Sequence, residues 1–155
     1  MNIFTAISTV GNLGRMGPAP GTVASLAAVL VAWPIQIYGG AYALLAATIA
    51  VFAIGWWAVA NYQQQVGVID APEIVVDEVA GMWLTLSFAP PQIIYFVVGF
   101  ALFRLFDISK PWPVSWADRQ LKGGLGVMMD DVLAGLYAIF CLWVIAWIVH
   151  QAGLA

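Results

Sequence analysis

From Met16 to Ile69 the chain carries no charged side chain, and apart from His150 none follows Asp131. Over the whole sequence 63% of the residues are hydrophobic, and the mean hydropathy is +0.94. Soluble domains are about 45–50% apolar, so a chain with this little polar surface has to be covered largely by lipid. Because lipid offers the backbone no hydrogen-bond partners, we predict an all-α, polytopic membrane helix bundle that forms a single domain over residues 1–155.

Five apolar segments are predicted to be embedded in the membrane. They cover residues 22–38, 41–62, 75–89, 92–106 and 132–149. The third and fourth are short, and Pro90-Pro91 between them cannot continue a helix. We predict either two short helices that meet at a tight turn or a re-entrant pair. Apolar residues at helical spacing between Ile3 and Val10 also predict a short N-terminal interfacial helix.

The charged side chains indicate how the bundle is oriented. Arg15 stands near the start, and the remaining basic and acidic residues fall between Asp70 and Asp131. If five segments cross, the uncharged connections at 38–41 and 89–92 lie on one side, and every Lys and Arg lies on the other. The positive-inside rule makes the charged side cytoplasmic. We expect no secretory signal, since the residues before the first segment lack a basic region and a cleavage site.

The first candidate motif is NLGRMGPAPGTVAS, residues 12–25. Its glycines and prolines predict an irregular loop, and Thr22 is a candidate cap for the first membrane helix. Free amides at a helix N-terminus suit a phosphate. A capped helix start without a ligand is the simpler interpretation.

Two acidic pairs resemble each other in IVVDEVAGM and GGLGVMMDDVLAG. Asp77-Glu78 and Asp130-Asp131 are each predicted at the start of an apolar helix, and each is followed by an Ala-Gly pair that allows close helix packing. Acids at a helix N-terminus complement its dipole. This explains one acidic residue at the start of each helix, but it does not explain the second. Paired carboxylate oxygens at a crowded helix contact are also what a Mg²⁺ site needs.

The segment FRLFDISKPWP carries Arg104, Asp107 and Lys110 at a spacing of three residues. It is either an ion-paired interfacial anchor or a clamp in which the two cations hold a phosphate together with its metal. An aspartate at this depth favours the second interpretation, because it is costly unless it is paired or binds something. We interpret Asp118, Arg119 and Lys122 as a solvated face in a loop, and Asp70 and Glu73 as surface residues. Four tryptophans are interpreted as lipid-facing or interfacial: Trp56, Trp57, Trp143 and Trp147.

Clustered acids beside phosphate-binding cations indicate metal-assisted phosphoryl chemistry. Cys141 lies within the last apolar segment, and His150 falls on the opposite side from the charges. Attack by a metal-activated water, with a carboxylate as general base, is the mechanism that remains. An ion transporter, which would need acids near the membrane midplane, and a structural subunit remain open as alternatives.

The four motifs GPAPGTVAS, IVVDEVAGM, LFRLFDISKPWP and GGLGVMMDDVLAG, in this order, resemble the phosphatidylglycerophosphatase A family. The resemblance implies a Mg²⁺-dependent lipid phosphatase of the bacterial inner membrane with its site facing the cytoplasm. It would hydrolyse the terminal phosphate of phosphatidylglycerophosphate in the bilayer to give phosphatidylglycerol. Another lipid phosphate is the nearest alternative substrate. No nucleic-acid partner is expected, and a homodimer is compatible with so thin a bundle.

The candidate site residues follow from these motifs. The pool of metal ligands is Asp77, Glu78, Asp107, Asp130 and Asp131. The catalytic group, including the general base, is expected among Asp77, Glu78, Asp107 and Asp131. The phosphate is expected to contact Arg104 and Lys110, with contributions from Arg15, Asn12 and Thr22.

Overall fold

The computed structural model describes residues 2–68 and 71–153, and within these residues all regular secondary structure is helical. The predicted all-α class is therefore confirmed, while Asp70 lies outside the described residues. In chain order the elements are α1 (Ile3–Ser8), a 3₁₀ turn (Leu13–Arg15), α2 (Pro20–Val66), α3 (Val76–Ser87), α4 (Ile93–Ser109), α5 (Val114–Gln120) and α6 (Gly123–Gln151).

Helix α2 is a hairpin of two arms, residues 20–39 and 41–66. Gly40 between them has φ 76° and ψ 175°, a conformation that is open almost only to glycine. A Cβ atom on Gly21 would lie 2.1 Å from Glu78 Oε1, and one on Gly55 would lie 3.2 Å from Val76 Cγ2. Both arms therefore approach the start of α3, whereas these two glycines would be about 50 Å apart on a straight helix. The connection predicted at 38–41 is confirmed.

The first arm of α2 begins at Pro20, and its N-cap residue Ala19 makes no side-chain capping bond. The prediction that Thr22 caps this helix is wrong. Proline suits the first turn because that turn leaves backbone N–H groups unpaired in any case. Thr22 lies within the turn instead of before it.

Helices α3 and α4 are separated by Pro90-Pro91, as predicted. At the turn between them, the Gln36 side chain from the first arm of α2 donates to the Ala89 carbonyl at 2.9 Å. Helix α3 has 12 residues and is about 18 Å long, which is shorter than the ~30 Å hydrocarbon core of a bilayer.

Helix α6 begins at Gly123, about two and a half turns before the start that the apolar pattern predicts. Asp130 and Asp131 therefore lie in the third turn of α6, and the prediction that they stand at its mouth is wrong. The glycine-rich lead-in suggests a loop, but its small residues serve helix packing. A Cβ atom on Gly124 would lie 2.7 Å from Ala60 N and from Trp56 O in the second arm of α2.

The closest contact between α3 and α6 is made by glycines. A Cβ atom on Gly81 would lie 2.6 Å from the Asp131 carbonyl oxygen, and one on Gly135 would lie 2.9 Å from the Gly81 carbonyl oxygen. The predicted role of the two Ala-Gly pairs in close packing is confirmed. Helix α4 covers the same contact with Phe103, which is fully buried.

The bundle has a charged end and an uncharged end. Gly21, Glu78, Arg104 and Asp131 meet at the charged end, whereas the Trp143 indole donates to the Phe88 carbonyl near the other end. Two helices in the described part of the chain, α2 and α6, are long and apolar enough to cross a membrane. The four tryptophans interpreted as lipid-facing are exposed: Trp56, Trp57, Trp143 and Trp147. Their contact with lipid stays a prediction.

We expect Gly81→Ala to destabilise the protein by about 1–3 kcal/mol, since the new methyl group would overlap backbone of α6. The matched control is Gly99→Ala, whose Cβ would lie 3.3 Å from the movable ends of Leu86 and Leu142. The control should stay within about 1 kcal/mol of the wild type. Thermal or denaturant unfolding in detergent micelles measures both variants, and equal stabilities would contradict the close contact.

Candidate active site

Three of the five predicted acids converge at the charged end of the bundle. Asp77 and Glu78 come from the first turn of α3, and Asp131 comes from the third turn of α6. Each offers a carboxylate oxygen, and these oxygens all lie within 4.8 Å of one another. The Gly81–Gly135 contact sets this separation, because it fixes how closely the two helices approach.

Each of these three carboxylates has one buried oxygen atom without a hydrogen-bond donor among the described residues. The atoms are Asp77 Oδ1, Glu78 Oε2 and Asp131 Oδ2. An unpartnered buried carboxylate oxygen is costly, and three close carboxylates also repel one another when they are ionised. A hard divalent cation that is coordinated by oxygen would remove both costs. The trio is therefore chemically suited to hold such a cation.

Arg104 lies beside the trio and is held by acids on two helices. Its guanidinium pairs with Asp107 one turn later on α4, and Nη1 lies 3.9 Å from Glu78 Oε1. Nη1 also lies 3.5 Å from the Ser25 hydroxyl, which itself donates to the Gly21 carbonyl at 2.8 Å. Gly21 has to be a glycine, because the Glu78 carboxylate occupies the space of its Cβ atom.

Lys110 ends α4 in a left-handed conformation with φ 43°, and its ammonium group reaches toward α5 and α6. It pairs with Asp118 and, at 3.0 Å, with Asp130. Burial alone would lower the pKa of the Lys110 ammonium group, but these two carboxylates outweigh burial and raise it above its ordinary value. Lys110 is therefore charged throughout the physiological pH range.

These groups line one pocket of about 210 Å³ at the charged end. Its charged lining residues are Asp77, Glu78, Asp107, Lys110, Asp118, Asp130 and Asp131. Three of the predicted acids pair with cations, since Asp107 and Glu78 pair with Arg104 and Asp130 pairs with Lys110. The pocket thus combines the carboxylate trio with the Lys110 ammonium group. Arg104 is not among the lining residues and adjoins the pocket through its pairs with Asp107 and Glu78.

The remaining predicted contacts lie away from this pocket. Arg15 Nη2 is 3.8 Å from Glu73 Oε1, and Glu73 also accepts a hydrogen bond of 2.6 Å from the Tyr62 hydroxyl. Asn12 is exposed with φ 81°, and Thr22 is half-buried in the first turn of α2. None of Arg15, Asn12 and Thr22 lines the pocket, and their contact with substrate stays a prediction.

Three residues that shape the site were not predicted from the sequence. Asp118 is exposed, as interpreted, but it belongs to helix α5 instead of a loop, pairs with Lys110 and lines the pocket. Gly21 and Ser25 lie one turn apart and position Glu78 and Arg104. Their spacing of four residues was the available signal, but without the fold it does not show which neighbour they face.

Residues 6–146 match the sequence model of a family described as PgpA, phosphatidylglycerophosphatase A. The chain belongs to this family. The match includes every residue of the pocket and both cations at its edge. The resemblance read from the four sequence motifs is thereby confirmed.

Three relatives cover most of the chain. A phosphatidylglycerophosphatase A of Haemophilus influenzae is 36% identical over 135 residues, which is 86% of this chain and 83% of the relative. The protein of the same name from Escherichia coli is 37% identical over 132 residues, 81% and 73% of the two chains. A Bacteroides thetaiotaomicron protein, provisionally named a phosphatidylinositol-3-phosphatase, is 38% identical over 138 residues, 84% and 86% of the two chains. No solved structure matches the chain.

In buffer that contains a chelator, Asp131→Asn should raise the Tm. The substitution removes one of three mutually repelling carboxylates that has an unpartnered buried oxygen. A gain of about 1 kcal/mol corresponds to about 2–4 °C for a chain of this size. Asp118→Asn is the matched control and should leave the Tm unchanged or lower it, because Asp118 is paired with Lys110. A lower Tm for Asp131→Asn would contradict this account of the trio.

Proposed function

We propose that this protein is a membrane lipid phosphatase that hydrolyses the terminal phosphate of phosphatidylglycerophosphate to give phosphatidylglycerol and inorganic phosphate. Membership of the phosphatidylglycerophosphatase A family supports the substrate and the reaction. The observation that carries the proposal for this chain is the carboxylate trio beside Arg104 and Lys110, in which each member keeps one buried oxygen without a hydrogen-bond donor among the described residues.

We infer that Asp77, Glu78 and Asp131 hold Mg²⁺. Their carboxylates supply the hard oxygen ligands that Mg²⁺ prefers, and their separation leaves space for an ion among them. A bound Mg²⁺ supplies charge neutralisation for the phosphate and activation of water. The acidic pocket gives a physical reason for the requirement, since its carboxylates would otherwise repel a phosphate dianion.

We infer that Lys110, which lines the pocket, and Arg104, which adjoins it, orient the terminal phosphate. Arginine suits a planar, two-point contact with phosphate oxygens, and lysine acts as a point charge. Asp107 holds the Arg104 guanidinium, while Asp118 and Asp130 hold the Lys110 ammonium group. Neither cation therefore has to be ordered when the substrate binds, which lowers the entropic cost of binding.

The phosphorus–oxygen bond to the terminal glycerol breaks as a water oxygen attacks the phosphorus atom. A carboxylate of the pocket accepts the proton from that water and later releases it to solvent, while the departing alkoxide takes a proton from solvent water to become the glycerol hydroxyl. Two other nucleophiles are remote from the site. Cys141 lies ten residues beyond Asp131 on α6, about 15 Å along the helix, and His150 lies at the far end of that helix.

We propose that the protein resides in the bacterial inner membrane with the pocket facing the cytoplasm. The two long apolar helices and the gathering of the basic residues at one end of the bundle support this location. The arms of α2, helices α3 and α4, and α6 would be the five embedded segments, with α3 too short to span alone. The homodimer stays a prediction.

The orientation can be measured with single cysteines in a Cys141→Ser background. The first variant is Tyr42→Cys, since the Tyr42 side chain lies beside the turn between the arms of α2 and is 88% exposed. The second is Lys122→Cys, since Lys122 lies at the start of α6. In intact bacteria a membrane-impermeant maleimide should label position 42, and it should label position 122 only after permeabilisation. The reverse pattern would overturn the proposed orientation.

Phosphate release from phosphatidylglycerophosphate in mixed micelles tests the function. Release by the wild type should require Mg²⁺ and cease with chelator. Arg104→Gln should lower kcat/KM by about 10–100-fold, because a charge-assisted hydrogen bond contributes about 1.5–3 kcal/mol.

The matched control is Arg119→Gln, since Arg119 is exposed on α5 outside the pocket. It should keep wild-type activity. If the folded protein releases phosphate neither from phosphatidylglycerophosphate nor from phosphatidic acid, the phosphatase proposal is wrong. Ion flux through reconstituted protein would then favour a transporter.

A phosphatidylinositol phosphorylated at the 3-position is the second candidate substrate. The observation that favours it is the relative from Bacteroides thetaiotaomicron, which is as similar to this chain as the two named phosphatidylglycerophosphatases. Both substrates present a phosphate monoester on a phospholipid headgroup. A higher kcat/KM for the inositol lipid in the same micelle assay would replace the first substrate with the second.

A further inference from the structure

A second cavity lies on the side of the bundle and differs sharply from the acidic pocket. It has a volume of about 460 Å³ and lies among α1, both arms of α2, and α3. Ala24, Ala28 and Val31 of the first arm form one wall, and Val76 and Val79 of α3 form another. The proposed phosphate chemistry uses none of these side chains. We call this cavity the apolar groove.

The walls of the apolar groove are held in place by hydrogen bonds between elements. The Trp83 indole, which lines the groove, donates to the Ala28 carbonyl of the first arm at 2.9 Å. The Val75 amide donates to the Ser8 carbonyl at 2.9 Å and so ties α1 to the start of α3. The only polar atom of the Trp83 side chain is therefore bonded to Ala28, and its ring presents an apolar surface to the groove.

The apolar groove opens toward the outer surface of the bundle. Val31 at its edge is 48% exposed, and the lining runs over about two helical turns of both α2 and α3, about 10 Å. Alanines at positions 24, 27 and 28 keep this space open. The apolar groove is open to the side, and its length of about 10 Å fits a segment of an extended hydrocarbon chain that enters from the bilayer.

The groove and the acidic pocket share the first turn of α3. Val76 and Val79 of the groove flank Asp77 and Glu78 in sequence and face the opposite side of the helix. Arg15 lies two residues after Leu13, which lines the groove. Its guanidinium pairs with Glu73, which immediately precedes the pocket residue Ile74. A ligand with an apolar tail and a phosphate head can therefore occupy both by bending over this turn.

We propose that the apolar groove binds an acyl chain of the phospholipid substrate and thereby positions its terminal phosphate in the acidic pocket. This inference rests on the proposed lipid phosphatase function. The headgroup would cross the first turn of α3, and Arg15, which pairs with Glu73 just before that turn, would contact the phosphodiester that links the two glycerols. The half-exposed Arg15 guanidinium carries the charge that suits this group.

The kinetic test fills the groove with Ala27→Phe and compares substrates that differ only in chain length. With dioleoyl phosphatidylglycerophosphate, kcat/KM should fall about tenfold or more, since the ring displaces buried methylene groups of the chain. With the dihexanoyl substrate the fall should be about threefold or less, because a short chain places fewer methylene groups in the groove. Ala50→Phe is the matched control, since Ala50 is exposed next to the lining residue Val51. The control should match the wild type with both substrates.

Equal losses with both chain lengths, or no loss with either, would overturn the groove assignment. If the folded wild type hydrolyses neither lipid, the proposed function fails, and a measurement that needs no turnover decides the groove. A phosphatidylglycerophosphate with a diazirine in one acyl chain should then crosslink to residues of the groove, mapped by mass spectrometry, and Ala27→Phe should abolish the crosslink. Equally strong crosslinking by a diazirine phosphatidylethanolamine would show a structural bilayer lipid and overturn the substrate assignment.

Discussion

The site depends on the contact between Gly81 of α3 and Gly135 of α6. At this contact each glycine occupies a position where a Cβ atom would overlap the backbone of the other helix. Tight packing there brings Asp77, Glu78 and Asp131 into one cluster despite their mutual repulsion. Packing of the glycines and of the surrounding apolar side chains thus offsets an electrostatic cost, which is the usual relation between stability and function at a charged site.

The five candidate acids differ in how fully they are paired, and Glu78 combines an ion pair to Arg104 with a buried oxygen that has no donor. Asp107 and Asp130 pair with Arg104 and Lys110, and these pairs fix two cations at the edge of the pocket. Asp77, Glu78 and Asp131 each keep a buried oxygen without a donor. The cations on one side and the unsatisfied acids on the other give the pocket the two features that phosphate and a divalent cation require.

Helix α3 joins the two kinds of surface that a lipid substrate needs. One face carries the acids and the other lines the apolar groove, although the helix has only 12 residues. The two surfaces adjoin because Asp77 and Glu78 of the pocket and Val76 and Val79 of the groove all lie in its first turn.

Much of the fold was predictable from local chemistry. Long uncharged apolar runs predicted helices, Gly39-Gly40 and Pro90-Pro91 predicted the two turns, and the confinement of charge to a few connections predicted one charged end. The start of α6 was not predictable, because Gly124 and Gly126 have poor helix propensity and are helical here while packed closely against the second arm of α2 and against Leu121, respectively.

The sequence by itself determined the helical class, the placement of charge at one end and the pool of candidate acids, since these follow from composition and local backbone preferences. Only the tertiary structure decided which acids remain unpaired, that Asp118 holds Lys110, and that Gly21 makes room for Glu78. The physical reason is that pairing and close approach depend on distances between atoms of different helices. Those distances are set by how the helices pack, and spacing along the chain does not contain them.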